Sequence, residues 1–401
     1  MARTRKALPA QVDVAHLISA GVLARVCPRA LIDEVLVETG KASQRERLLP
    51  APAVVYYVMA LALWREAPLE EVLRVVCEGL HWLGGGRASA VLAMATKGAI
   101  SQARTRLGAE VMRQLAERVL GPIAAPGAPG AWYRGLRVMA LDGSCLDVAD
   151  ERANAEHFGY PASARGVSAF PQLRLMGLVE CGTHVVVAAE VAPYSTSEKV
   201  MAAQLLPAKL QPGMLVLADR GFYSFKLFRI GCATGAMLVW RVSATLHLEV
   251  AQELPDGSFL STVYDSLDTR RSAGQTVRVV EYALEGSAKP TKDSYRLVTN
   301  ILDPEQAPAL ELAALYHERW EIESVFDEFK THLRANSTVL RSKTPDLVKQ
   351  ELWGLLLAHF AIRQLMAQAA WPRQLDPDRL SFVHAMRVIK RKMPQAAAVP
   401  P

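Results

Sequence analysis

The tightest constraint on this chain is a change of period. Up to the stretch PGAPG at Pro126–Gly130 apolar residues recur at helical spacing, and after it they alternate as in strands. Residues 1–130 therefore read as a helical domain. Arg47–Trp64 is an apolar helix, and Pro68–Leu83 follows with Pro in its first turn and Glu70 and Glu71 where the helix dipole favours them. After the glycines at 84–86 come Ala88–Ala95, a turn around Thr96 to Gly98, and a helix from Ala99 to Leu120. That pair fits a helix-turn-helix with Gln102, Arg104 and Arg106 facing DNA; a plain helical hairpin is the alternative.

Beyond the linker, Leu136–Asp142 places Val138, Ala140 and Asp142 on one face, and Gly143 permits a turn. SCLDVAD, QLRLMGLVECG and THVVVAAEVAP continue as short antiparallel strands. A helix over Ser197–Leu210, an apolar strand ending at Asp219, a helix over about 224–234 and a strand from Ala236 then alternate. Strands first and β-α-β-α after describes a mixed sheet covered by helices. Residues 245–294 read as a β-rich insertion, after which the strand from Ser294 returns to the core.

Leu315–Leu333, without Pro or Gly, reads as one long helix. At 100° per residue Leu315, Ile322, Val325, Phe326 and Phe329 form an apolar stripe, and Tyr316, Arg319, Glu323 and Lys330 line its margin. Helices over Thr344–Ala370 and Arg379–Lys392 and a disordered tail complete the chain.

The net charge of +6 and pI near 9.1 suit a polyanionic partner. Five scattered cysteines without metal-ligand spacing read as core thiols in a reducing compartment. The basic N-terminus lacks an apolar secretory segment, and no apolar run is long enough for a membrane span, so the expectation is a cytoplasmic protein.

Tyr316, Arg319, Glu323 and Lys330, with two, three and six residues between them, resemble the signature helix of the insertion-sequence-four group of DDE transposases. LDGSCLDVAD, holding Asp142, and LADRGFYSF, holding Asp219, resemble the blocks around that group's two acidic residues, and residues 44–76 resemble its N-terminal domain. Taken alone, Asp142 and Asp219 are ordinary turn residues and the charged arc is a solvated helix face. The resemblance implies a ribonuclease H-like catalytic domain over 131–335, with the insertion at 245–294, and a helical C-terminal region over 336–401 that docks or dimerises.

It also implies a cut-and-paste transposase, localised with the nucleoid when DNA-bound, that binds terminal inverted repeats and acts on target DNA as a homodimer. Asp142, Asp219 and Glu323 would hold two Mg²⁺ or Mn²⁺ ions. Two hard cations activate the attacking oxygen and stabilise the leaving one during attack on a charged phosphodiester. Tyr316, Arg319 and Lys330 would grip flanking phosphates, and Tyr295, or failing it Trp240, would stack on a flipped base. The alternatives are a metal-dependent nuclease without strand transfer and a non-enzymatic DNA-binding protein derived from a transposase.

Overall fold

The alternation after residue 130 is realised as a mixed sheet in the computed structural model, which describes residues 21–42, 49–84, 95–163, 166–283, 294–333 and 339–392. The strands begin with β1 (Trp132–Tyr133), β2 (Leu136–Val148), β3 (Ala162–Ser163) and β4 (Gly166–Val167). They continue with β5 (Gln172–Glu180), β6 (Val185–Pro193), β7 (Met214–Ala218) and β8 (Met237–Arg241). The last are β9 (Gln252–Glu253), β10 (Phe259–Val263), β11 (Gln275–Ala283), β12 (Ser294–Thr299) and β13 (Val339–Leu340).

The main sheet runs β6-β5-β2-β7-β8-β12-β11-β10-β9. β5 runs antiparallel to both β6 and β2, while β7 lies parallel to β2 and β8 parallel to β7. Three antiparallel strands flanked by two parallel ones in this order are the core of a ribonuclease H-like fold. All five residues of β7 are buried, as a parallel strand covered on both faces requires.

One strand expectation changes. Gly143 does not turn the chain: β2 is a single 13-residue strand, so Asp142 lies within it rather than at its end. Pairing with β5 is continuous from Met139 to Asp147, and those ladder hydrogen bonds outweigh the local Asp-Gly turn preference. A Cβ on Gly143 would lie 2.7 Å from the Glu198 carboxylate, so glycine there admits that side chain. The strands of the expected β-rich insertion join the main sheet. β12 pairs antiparallel with β8, and β11, β10 and β9 extend the same sheet. Residues 284–293 of it lie outside the described residues.

The helix expected over Leu315–Leu333 is one right-handed helical run whose hydrogen-bond register changes. It is α-helical over Ala309–Leu315, 3₁₀ over Tyr316–Trp320, α-helical over Glu321–Asp327 and π-helical over Glu328–His332. Backbone angles stay in the helical basin at the joins, with φ −61° and ψ −21° at Tyr316 and φ −57° and ψ −40° at Glu328. Ile322, Val325, Phe326 and Phe329 are buried, as the period requires.

By compactness the described residues fall into two units that divide between Val119 and Leu120. The sheet, the residues from Leu120 to Lys330 and those from Val339 to Pro345 make one; PGAPG belongs to it, with Ala131 fully buried. The other is helical and joins the N-terminal helices to the C-terminal ones.

In the helical unit, Ala51–Leu63 is buried from Pro52 onward. Gly354, in the helix Pro345–Ala370, permits close approach to it: a Cβ there would lie 2.7 Å from Val58 Cγ1 and 2.8 Å from the Val58 carbonyl oxygen. The helix expected over Ala99–Leu120 spans Lys97–Val119 and breaks at Gly108, with φ 76° and ψ 169°. Asp346 Oδ1 accepts from the Ala109 N–H at 3.2 Å, capping the second half. The last helix is Phe382–Lys392. Ala88–Met94, the first helix of the expected helix-turn-helix, and the tail from 393 lie outside the described residues.

Candidate active site

Three elements bring the candidate carboxylates around one guanidinium. Asp142 comes from β2, Asp219 follows the last residue of the parallel neighbour β7, and Glu323 comes from the helical run. Arg319 is 5% exposed. Its Nη1 lies 3.5 Å from Asp142 Oδ2, and its Nη2 donates to Glu323 Oε1 at 3.1 Å. Burial works to lower its pKa, but Tyr316, Asp219, Asp142 and Glu323 together outweigh that and hold it above the usual value. Arg319 is thus a common counter-ion for all three acids.

The acids differ in exposure. Asp142 is the most enclosed; burial pushes its carboxyl up to about 6, against the lowering effects of the Gly143 N–H and Arg319, with Glu198 and Glu323 adding to the rise. The Gly143 N–H donates to Asp142 Oδ1 at 2.7 Å. Asp219 and Glu323 have side chains 40% and 44% exposed, open to a ligand. Such a set of hard oxygen donors, one held in a poorly solvated place, fits a hard divalent cation.

Tyr316 and Lys330, the other signature residues, are placed differently. Tyr316 is buried, and its hydroxyl donates to the Ala218 carbonyl and Asp219 Oδ1, both at 3.4 Å. Burial raises its pKa, so the phenol stays protonated beneath Asp219. It supports the acid rather than standing free for a phosphate. Lys330 is exposed.

Tyr295 is not an open stacking platform. Its ring stacks on Tyr282 with centroids 5.2 Å apart, and the Arg241 Cζ lies 4.2 Å over its centroid. Trp240 is fully buried, edge-on to Phe228. The DNA-facing set in the helical unit loses Arg104. That side chain is buried, donating from Nε to Gln350 Oε1 at 2.8 Å and from Nη2 to the Leu347 carbonyl at 3.2 Å. Its guanidinium serves the core, while Gln102 and Arg106 remain exposed.

Two groups at the site escaped the sequence reading. Arg241, at the end of β8, points Nη1 at Asp219 Oδ1 from 3.9 Å. The signal was positional, since β8 ends beside β7. Glu198, in the first turn of the helix Glu198–Lys209, ion-pairs with Arg174 at 3.0 Å and contributes to the raised pKa of Asp142.

Five residues before Glu323, Glu318 carries a carboxyl pushed up to about 7, first by its hydrogen bond to Glu321 and then by burial. A raised carboxyl prefers to be protonated in the folded protein, so its stabilising effect is fullest below the ordinary value of 4.5 and is lost by about pH 7. Glu318→Gln is expected to flatten the fall in melting temperature across that window; an unchanged slope would refute the assignment.

Comparison with known proteins decides the family. Residues 17–117 match the family model for the insertion element 4 transposase N-terminal domain, and residues 133–361 match that for the transposase DDE domain. The chain belongs to the DDE transposase family. It is 28% identical over 366 residues to the transposase InsG for insertion sequence element IS4 of Escherichia coli strain K12, covering 90% of this chain and 80% of InsG. It is 26% identical over 292 residues to the putative transposase InsZ of the same strain, covering 68% of this chain and 94% of InsZ. This transposase thus has an enzyme's DDE domain, which implies dependence on a divalent metal. Among its described residues no helix is long and apolar enough to cross a membrane.

Proposed function

We propose that this transposase moves its element by cutting and pasting: it binds the terminal inverted repeats, cuts the DNA at them and joins the freed ends to target DNA. The observation that carries this reading is the shared counter-ion. Asp142, Asp219 and Glu323, from three separate elements, all raise the pKa of Arg319. A cluster of like charges is costly unless compensated, and a bound cation compensates it better than one guanidinium.

Asp142, Asp219 and Glu323 would hold two Mg²⁺ or Mn²⁺ ions, which supply Lewis-acid activation of the attacking and leaving oxygens. The chain's own groups position the DNA. With cations on the carboxylates, Arg319 would be available to fork onto a phosphate, with Lys330 as a second, exposed charge. Tyr316 steadies Asp219 from below, and Arg241 is poised for a backbone oxygen on the same side. Gln102 and Arg106 of the helical unit face solvent, where they suit end binding. Two copies, each holding one end, would form the joining complex.

The test is incubation of a labelled duplex bearing the element's own end with and without Mg²⁺, resolving cut from joined product. Metal-dependent cutting followed by joining supports the proposal. Cutting without joining would reduce the protein to a nuclease, and binding alone would overturn the enzymatic reading.

A further inference from the structure

The helical run that carries Arg319, Glu323 and Lys330 begins at Ala309, and the chain just ahead of it provides no cap: Pro308 occupies the N-cap position without a side-chain hydrogen bond. The missing acceptor comes from the β-rich insertion. In the turn between β9 and β10, Asp256 Oδ2 accepts from the Ala309 N–H at 2.8 Å. The same oxygen accepts from Nη2 of Arg278, a β11 residue with no exposed surface.

Arg278 does more than neutralise that carboxylate. Its Nη1 donates to the Ala307 carbonyl at 2.7 Å and the Asp303 carbonyl at 3.4 Å, and its Nε donates to Ser258 Oγ at 2.8 Å. The Ser258 hydroxyl in turn donates to Asp256 Oδ1 at 2.5 Å. Burial acts to raise the Asp256 pKa, but hydrogen bonds from Ser258 and the Ala309 N–H, with the Arg278 charge, hold it below the usual range. One ion pair therefore fixes both the loop entering the run and its first turn.

We propose that Asp256 and Arg278 are positioning residues, through which the β-rich insertion sets the axial place of the catalytic run and hence of Glu323. The inference rests on the transposase reading of the carboxylates. A helix conveys a displacement of its first turn along its axis, and Glu323 lies about four turns on. Misplacement of a reacting group by about 1 Å can cost on the order of 10²-fold in rate.

Removing one partner alone would bury an unpaired charge, so the test uses two double variants. Asp256→Ala with Arg278→Met removes pair and cap. Asp256→Asn with Arg278→Met removes the pair but keeps an oxygen for the Ala309 N–H. Both are expected to bind the element-end duplex within about two-fold of wild type, while the alanine form cuts at least about tenfold more slowly in single turnover. The asparagine form should recover part of that rate, the remainder being what Arg278 holds through the Ala307 and Asp303 carbonyls. Amide exchange should quicken over Ala309–Asp327 in the alanine form only, with β2, β5 and β7 still protected. Equal rates in the two variants, or a loss of binding and of protection across the sheet in the alanine form, would overturn the proposal. A wild type that fails to cut the duplex would instead count against the transposase reading, and amide exchange would still decide the cap.

Discussion

Replacing Glu323 with Gln is expected to leave binding of the element-end duplex within about two-fold of wild type while cutting and joining fall on the order of 10³-fold or more. The side chain keeps its shape and an oxygen that can accept from Arg319, so the helical run has no reason to move. It loses the charge that a hard cation requires, and stabilisation of transition-state charge by a metal is worth several kcal/mol, each 1.36 kcal/mol being a factor of about ten. Single-turnover cutting beside a binding isotherm separates the two effects. Cutting that survives at more than about a tenth of the wild-type rate would remove Glu323 from the catalytic set. Asp219→Asn should behave alike, since it keeps the oxygen that accepts from the Tyr316 hydroxyl.

A larger effect on stability is expected at Glu180, the last residue of β5, whose side chain has no exposed surface. Its carboxylate ion-pairs with Arg137 and accepts from the Ile123 and Ala124 N–H groups, both at 3.0 Å, and from Thr183 Oγ1 at 2.7 Å. It fastens the segment entering the catalytic unit to the sheet. Glu180→Ala leaves two backbone donors and a largely buried guanidinium without that partner, which costs roughly 3–5 kcal/mol. The melting temperature of the intact protein should drop by several degrees or more. A loss under about 1 kcal/mol would mean that water replaces the carboxylate.

Periodic features were legible in the sequence. The stripe of Ile322, Val325, Phe326 and Phe329 is buried because helical spacing alone puts it on one face, and MLVLA in β7 is buried because a continuous apolar run suits a covered parallel strand. Features set by distant partners were not legible. Arg104 looks like a surface cation at the start of a helix, and only Gln350 and the Leu347 carbonyl, far along the chain, explain its burial. Gly143 looks like a turn residue until the pairing of β2 with β5 and the crowding by Glu198 are seen. Nothing local in the sequence shows that Tyr295 is sandwiched between Tyr282 and Arg241. The signature spacing puts Arg319 and Glu323 on one arc of the helix, but nothing in it shows that Arg319 is buried beside Asp142 of β2.

The helical unit is assembled from both ends of the chain, with the catalytic unit as an insertion between its halves. Arg104 waits for Gln350, the Ala109 amide waits for Asp346, and the buried helix Ala51–Leu63 waits for the groove that Gly354 leaves beside Val58. On the ribosome Ala51–Leu63 can pack against its neighbours in the first half, but the contacts of Arg104, Ala109 and Val58 close only after residues 346–354 have been made. A product ending soon after Glu323 would lack the second half of the helical unit and is expected to be prone to aggregation and proteolysis.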